Sequence, residues 1–318
     1  MSDGPAAAAA GGDRPSAIVA HVWRQHRRWS AAADRLKRRI DRARTTGLVL
    51  GIVGAVLAVA AVQVGTATTT GRALAVVAGV AVGLVPLVRR AADQDAVRDW
   101  TRARSISEGL KSEVYSYLGG ASRYLGSDRD RVLAATTREL LDGVGDLAVV
   151  VAHVDPDDRP VPAVHGVEDY LEQRVLSQAR AYYVPRARRY AGRLRRLRVT
   201  ESVLGAVAVV LAVLVGAGGI QAAGAWVAVV STIAASLAAH AGAARYDQRI
   251  IGFTHTATRL EGLAAAWQVK GWSPAALVEA CEEAISVENQ GWMARLTREE
   301  PGPGHGGQAQ PDVPVSSG

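Results

Sequence analysis

Two stretches of the chain break the usual mixture of apolar and polar positions. From Ser202 to Ala244 there is no Asp, Glu, Lys or Arg, and from Thr45 to Val88 the only charge is Arg72. A helix needs about 20 apolar residues to cross the ~30 Å hydrocarbon core of a bilayer, and each stretch is roughly twice that long. Each also carries a turn signal near its middle. One has Gly216, Gly218, Gly219 and Gln221; the other has a threonine-rich run from Gly65 to Gly71. The pattern predicts four spanning helices in two hairpins, at 45–64, 73–88, 202–217 and 221–242. The second would be short, about 24 Å at 1.5 Å per residue, and would need local bilayer thinning or outward reach by Arg72 and Arg89. The expected fold class is therefore all-α: an integral membrane protein with four transmembrane helices as two hairpins and long cytoplasmic helical extensions.

The polar positions flanking these stretches set an orientation. Arg35, Lys37, Arg38, Arg39, Arg42 and Arg44 precede the first span, and Arg89 and Arg90 follow the second. Arg186, Arg188, Arg189, Arg193, Arg195, Arg196 and Arg198 precede the third, and Arg245 and Arg249 follow the fourth. The turns hold only Arg72. By the positive-inside rule both termini and the central region are expected in the cytoplasm, with the chain as a multi-pass protein of a bacterial inner membrane. Trp226 suits an interfacial position. Trp29 lies too far ahead of Thr45 for that and is expected to pack against cytoplasmic helices.

Outside the spans, helical periodicity is strong. Asp169–Arg198 lacks breakers except Pro185 and Gly192, and Leu171, Val175, Ala179 and Tyr182 form one face. It is expected as a long, kinked helix running into the third span. Ser273 caps a C-terminal helix that starts at Pro274. Leu277, Cys281, Ile285, Glu288, Trp292 and Leu296 make its stripe. Glu288 on that apolar stripe reads as the partner of a neighbouring arginine, or else as a gating or ligand residue. Cys281, the one cysteine, reads as a small core residue. Leu147–Val154 is apolar but too short to assign to helix or strand.

The two halves repeat one order of features. Arg35-Leu36-Lys37-Arg38 stands before Gly47 much as Arg193-Leu194-Arg195-Arg196 stands before Gly205. Each hairpin is then followed by a helix with Glu-Gly-Leu, at 108–110 and 261–263. The expected organisation is a disordered tail at 1–15, a first module at 16–153, a linker at 154–166, a second module at 167–300 and a disordered tail at 301–318. The start of the chain, without a basic region followed by an apolar core, does not read as a secretory signal.

Composition refines this picture. The chain has 318 residues, 49% hydrophobic, with one Phe and two Met. Ala, Val and Gly dominate instead, which suits close helix packing in lipid. Gly47, Gly51, Ala55 and Ala58 share a face, as do Ala75, Gly79 and Gly83, and as do Ala234, Ala238 and Gly242. Such faces serve packing within a hairpin or between subunits of a homo-oligomer. The net charge is +7, but the arginines abut the spans, where topology and anionic lipid explain them; a nucleic-acid partner is not expected.

No catalytic signature is present. There is no phosphate-binding Gly-x-x-x-x-Gly-Lys-Ser/Thr loop, no Gly-x-Ser-x-Gly elbow and no His-Glu-x-x-His pair. His153, Asp155, Asp157, Asp158 and His165 cluster in a proline-punctuated segment that reads as an ordinary polar loop rather than a metal site. His240 lies near the inner end of the fourth span, where reach toward the interface explains it. No enzyme activity, cofactor or metal is expected.

Several segments together resemble the SLATT superfamily, the two-transmembrane effector domains associated with SMODS and SLOG proteins. They are the hairpins with Arg-rich flanks, Trp100–Tyr117 with Arg104, Glu108, Leu110, Lys111 and Glu113, Tyr170–Val175 with Arg174, then Tyr183, Arg186 and Ala187, and the ending Glu279, Glu282, Glu288 and Trp292. The similarity covers most of Ser16–Arg298 as two tandem copies. It implies a non-enzymatic effector of a nucleotide-signal-linked conflict system whose hairpins perforate or perturb the membrane; four thin helices cannot enclose a wide channel alone, so a pore would require an oligomer. The trigger would be a signalling partner protein or a nucleotide second messenger acting directly. The alternative is a membrane-anchored scaffold or sensor that recruits a cytoplasmic partner without forming a pore.

Overall fold

A computed structural model describes residues 16–155, 158–218 and 223–297, with side chains throughout except at 243–244 and 292–297. The sequence expectations for the two tails lie outside these residues. Every element among the described residues is helical. Helix α1 spans Ala17–Val64, α2 Thr69–Arg89, α3 Gln94–Gly119, α4 Arg129–Asp142 and α5 Ala148–Ala152. Next, α6 (Val167–Tyr170) passes through two π-helical stretches, Leu171–Leu176 and Gln178–Tyr183, into α7 (Val184–Gly216). The chain closes with α8 (Ala223–Ala244), α9 (Tyr246–Lys270) and α10 (Pro274–Thr297).

Four helical runs are long and apolar enough to cross a membrane: Ala17–Val64, Thr69–Gly119, Val167–Gly216 and Ala223–Lys270. The molecule is an all-α membrane protein. The first and third spans are the ends of longer rods, because no breaker separates their Arg-rich flanks from the apolar stretches, whereas a 3₁₀ turn at Arg90–Ala92 sets α2 off from α3 and Arg245 sets α8 off from α9. The exposed face of the rods is apolar where lipid would meet it, with Val76, Val80, Leu84, Val203, Val210 and Val213 all open. In the third run none of the most apolar window is buried within the chain.

The second span begins earlier than its hydropathy suggested. Thr68 accepts a hydrogen bond from the Gly71 backbone N–H (3.0 Å) and so caps α2. The threonine run is the first helical turn, and α2 reaches 21 residues, about 32 Å at 1.5 Å per residue. No local thinning is needed. Arg72 bonds back to the Ala67 carbonyl (2.9 Å). The hairpin closes on Gly54, whose Cβ position lies 2.6 Å from Val82 Cγ2, and on Gly71, whose Cβ position lies 2.2 Å from the Gly65 carbonyl oxygen. Gly47 rests against Arg89. Gly51, Gly79 and Gly83 meet nothing within 4 Å.

The helical parts outside the spans share a single core. Val19, Val22, Trp29, Leu110, Val114, Leu133, Tyr170, Val175, Leu260, Leu277 and Ile285 belong to one buried cluster drawn from both halves of the chain. Trp29 sits in it, as its distance from the first span implied. Helix α10 packs on α3 as well as on α9, so the second half completes the first. The 154–166 segment is tied down at its described positions. Trp23 Nε1 donates to the Arg159 carbonyl (3.1 Å) and Arg35 to that of His153 (2.7 Å), while Val154 and Val164 are buried. The preceding apolar run is a 3₁₀ turn and the short α5.

Candidate functional site

Helix α3 turns a polar stripe into this core. Arg104, Glu108, Lys111, Ser112 and Tyr115 recur at helical spacing. Facing them, the end of α6 and the π-helical segment supply Tyr170, Arg174, Gln178 and Tyr182 at steps of four. A π-helix has a wider turn than an α-helix, so positions four apart lie closer to one line. Pro185 stands just beyond. Its ring crowds the carbonyl four residues back and it offers no N–H, and a widened turn relieves both problems without ending the helix. The sequence pointed to a long, kinked helix here; the run is continuous, with two π-helical stretches just before the proline. The buried face accordingly moves to Tyr170, Val175, Ala179 and Tyr183.

At the centre, Arg174 (1% exposed) forks onto Glu282 of α10, with Nε and Nη2 each 2.7 Å from one carboxylate oxygen. Tyr170 OH (3.0 Å) and Ser112 Oγ (2.7 Å) donate to the same two oxygens. The remaining Arg174 nitrogen and Lys111 Nζ both donate to Gln178 Oε1, at 3.1 and 3.2 Å. The guanidinium lies 4.7 Å from the Tyr115 ring centroid. One turn away, Arg104 pairs with Glu108 and donates to Tyr182 OH (3.4 Å). Below them His26 Nδ1 donates to the Ser107 carbonyl (2.8 Å). Charge-assisted, bidentate bonds are the strong ones, and a buried ion pair is tolerable only when each partner is fully bonded. Both conditions are met here.

Burial would raise the Glu108 carboxyl, but Arg104, Lys111 and Arg174 outweigh it and hold it down at about 2. Burial, reinforced by Arg174, lowers Lys111 to about 8. His26 falls to about 3, chiefly by burial, and is neutral. Burial and then Glu282 push the Cys281 thiol up to about 12, which makes it unreactive. The charged groups are thus locked to one another and presented to no reactant. Such an arrangement holds elements in register and can exchange partners; it does not resemble an acid, base or nucleophile poised for chemistry.

Two regions of the chain match known families. Residues 170–292 match the SMODS and SLOG-associating 2TM effector domain 1, SLATT_1. Residues 27–131 match a family of unknown function, DUF4231, which is related to SLATT. The two matched regions are consistent with two copies of a SLATT-superfamily domain in one chain. Its SLATT regions each contain one hairpin, and the buried network joins them: α3 lies in the first match, the π-segment and α10 in the second. A SLATT domain is a two-transmembrane effector domain of conflict systems and is not a known enzyme family. No curated protein and no solved structure matches the chain.

Of the SLATT-like positions singled out in the sequence, Arg104, Glu108, Lys111, Arg174 and Glu282 come together in this network. Glu113 does not; it bonds Arg123 (2.9 Å) and Tyr124 on the far side of α3. Arg186 and Glu288 line a neighbouring cavity. Trp292 lies within α10, but its side chain is outside the described residues. Among the described residues no group of three metal-ligating side chains forms, and Asp157 lies outside them. Gly47 packs inside the first hairpin, Gly51, Gly79 and Gly83 do not, Ala234 is half-buried and Ala238 exposed. The periodicity argument put Glu288 on the α10 stripe and left Glu282 to the resemblance alone, while His26 and Gln178 were passed over altogether. The signal for Glu282 lies in Val278, Cys281, Glu282 and Ile285, a stripe of the same spacing turned by one position.

Proposed function

We propose that this SLATT protein is a non-enzymatic, oligomeric effector of a bacterial inner membrane, with both termini cytoplasmic, whose hairpins permeabilise the bilayer when a signal rearranges the cytoplasmic core. The signal is a partner protein or a nucleotide second messenger. The observation carrying this reading is the fully bonded Arg174–Glu282 network at the seam of the two hairpin-bearing modules. It fixes one arrangement of the rods and has ready alternatives in its many donors, which is what a two-state joint requires. Packing faces left open within the chain support assembly. Gly79 and Gly83 border no other element, and small residues let helices of separate subunits approach closely.

The test is dye release from vesicles of phosphatidylethanolamine and phosphatidylglycerol carrying the full chain, alongside membrane depolarisation on induced expression. Release is expected, and Gly79→Leu with Gly83→Leu is expected to cut it at least tenfold while the chain still inserts. Tight vesicles and an unchanged membrane potential would defeat the pore reading and favour a membrane-anchored scaffold. Release undiminished by the double substitution would remove the assembly face.

A further inference from the structure

Beside the buried network lies a second polar feature that the effector reading does not use. A cavity of about 130 Å³ opens at the seam of the two modules. Asp34 and Lys37 of α1, Trp100 and Arg104 of α3, Tyr182, Arg186 and Tyr190 of the π-segment and α7, Phe253 of α9 and Glu288 of α10 are among its walls. It continues toward the bilayer into a cavity of about 390 Å³ that shares Lys37, Tyr190 and Arg249 with it and adds Arg44, Arg193 and His240. The inner ends of the first and fourth spans, at Thr45 and His240, border this second part. The whole cleft therefore sits where cytoplasm meets lipid.

Its electrostatics are unusual for packed protein. The cleft gathers seven Lys and Arg side chains, namely Lys37, Arg44, Arg104, Arg186, Arg193, Arg245 and Arg249, against three carboxylates, Asp34, Asp41 and Glu288. Arg186 donates to the neutral hydroxyl of Tyr182 (3.1 Å) and stacks 4.0 Å over its ring. Arg249 does likewise with Tyr190, at 3.3 and 5.6 Å. Among the described residues neither arginine pairs with a carboxylate. Burial, with Arg249 nearby, lowers Arg44 despite the Asp41 charge, so these cations are crowded. Arg245 is the sole described non-glycine residue in the left-handed region, with φ 48. That conformation is uncommon outside glycine and asparagine, and it breaks the helix between α8 and α9 at this cleft.

Guanidinium groups held by tyrosine hydroxyls keep their charge and their outer N–H donors for another acceptor. Arginine presents those donors as a rigid fork suited to phosphate. Trp100, Tyr182, Tyr190 and Phe253 add flat apolar walls on which a ring or an acyl-glycerol edge can rest. We propose that this cleft binds a phosphate-bearing ligand, with Arg186 and Arg249 as the anion-holding pair. Binding reaches the buried network through Arg104, which lines the cavity and also pairs with Glu108. The phosphate could belong to an anionic lipid headgroup entering from the membrane side or to a soluble phosphate ester entering from the cytoplasm. The proposal concerns binding alone and stands whether or not the hairpins permeabilise membranes.

The experiment uses the full chain in nanodiscs, with the thermal midpoint and Trp fluorescence as readouts. One arm compares phosphatidylcholine discs with discs containing a fifth phosphatidylglycerol. The other titrates ATP, which offers phosphates and a flat ring, into phosphatidylcholine discs. A saturable response in either arm, weakened at least tenfold by Arg186→Gln or Arg249→Gln and not by Arg39→Gln outside the cleft, is the expected result. The responding arm identifies the source. No saturable response in both arms, or equal weakening by all three substitutions, overturns the proposal. Should one cleft variant fail to fold, the other and Lys37→Gln give the same reading.

Discussion

Arg174 has almost no contact with solvent, so its role is best gauged by what removing its partner leaves behind. Glu282→Gln would strand a buried guanidinium, and a buried pair broken on one side typically costs about 3–5 kcal/mol. A clear fall in the thermal midpoint of the detergent-solubilised chain is expected. Arg174→Met with Glu282→Leu should recover most of it, because both charges then leave together; a double variant as weak as the single would contradict this account of the pair. His26 makes a second residue-scale prediction. Its folded value of about 3 lies below the ordinary 6.5, so between those values the unfolded chain takes a proton that the folded one refuses. Stability therefore falls as pH drops below 6.5, by about 2 kcal/mol at pH 5 for such a shift. Glu108 is ionised in both states until about pH 4.5 and adds its own loss only as pH falls from there toward 2. His26→Gln should flatten the limb between pH 6.5 and 4.5 in midpoint-against-pH curves and leave a shallower limb below it that Glu108 alone produces. None of this was visible in the spacing of residues. A lone histidine in a helix has no pattern, and its neutrality comes from burial that only the assembled core imposes.

At the scale of elements, hydropathy located all four spans because the absence of charge over forty-odd residues survives any detail of packing. It misplaced the start of α2 because a threonine run is apolar enough to enter lipid yet polar enough to look like a turn. The hydroxyl cap on the Gly71 N–H resolves that ambiguity locally. Small-residue spacing likewise marked candidate faces without saying which one the hairpin uses. The contact falls on Gly54, Ala61, Gly71 and Ala78, seven residues apart along each helix. Gly71→Ala would drive a Cβ into the Gly65 carbonyl, 2.2 Å away. Backbone cannot step aside as a side chain can, so a loss above about 1 kcal/mol is expected, whereas Gly79→Leu should leave the monomer's stability within about 0.5 kcal/mol. Denaturation of the two variants in the same detergent compares them directly, and an equally unstable Gly79→Leu would mean that its face is already occupied inside the chain.

At the scale of the whole molecule, the repeat in the sequence implied two modules strung on a linker, and the helices outside the spans of both halves form one core. This shared core has a physical origin: each half exposes an apolar helix face that it cannot cover alone, and α10 of the second half covers α3 of the first. The polar stripe buried at that seam is legible only once both halves are known to meet. Helix α1 then has a mechanical meaning. It runs unbroken from Ala17 in the core to Val64 at the far end of its span, with about 42 Å of rod on the core side of Thr45 at 1.5 Å per residue. Pivoting such a rod by 5° at the membrane surface sweeps its tip through about 4 Å. That sweep exceeds the length of every bond clasping Arg174. A change in the slant of the first hairpin is therefore expected to reach that pair through α3, on which α1 packs and which sets Ser112 and Tyr115 against it.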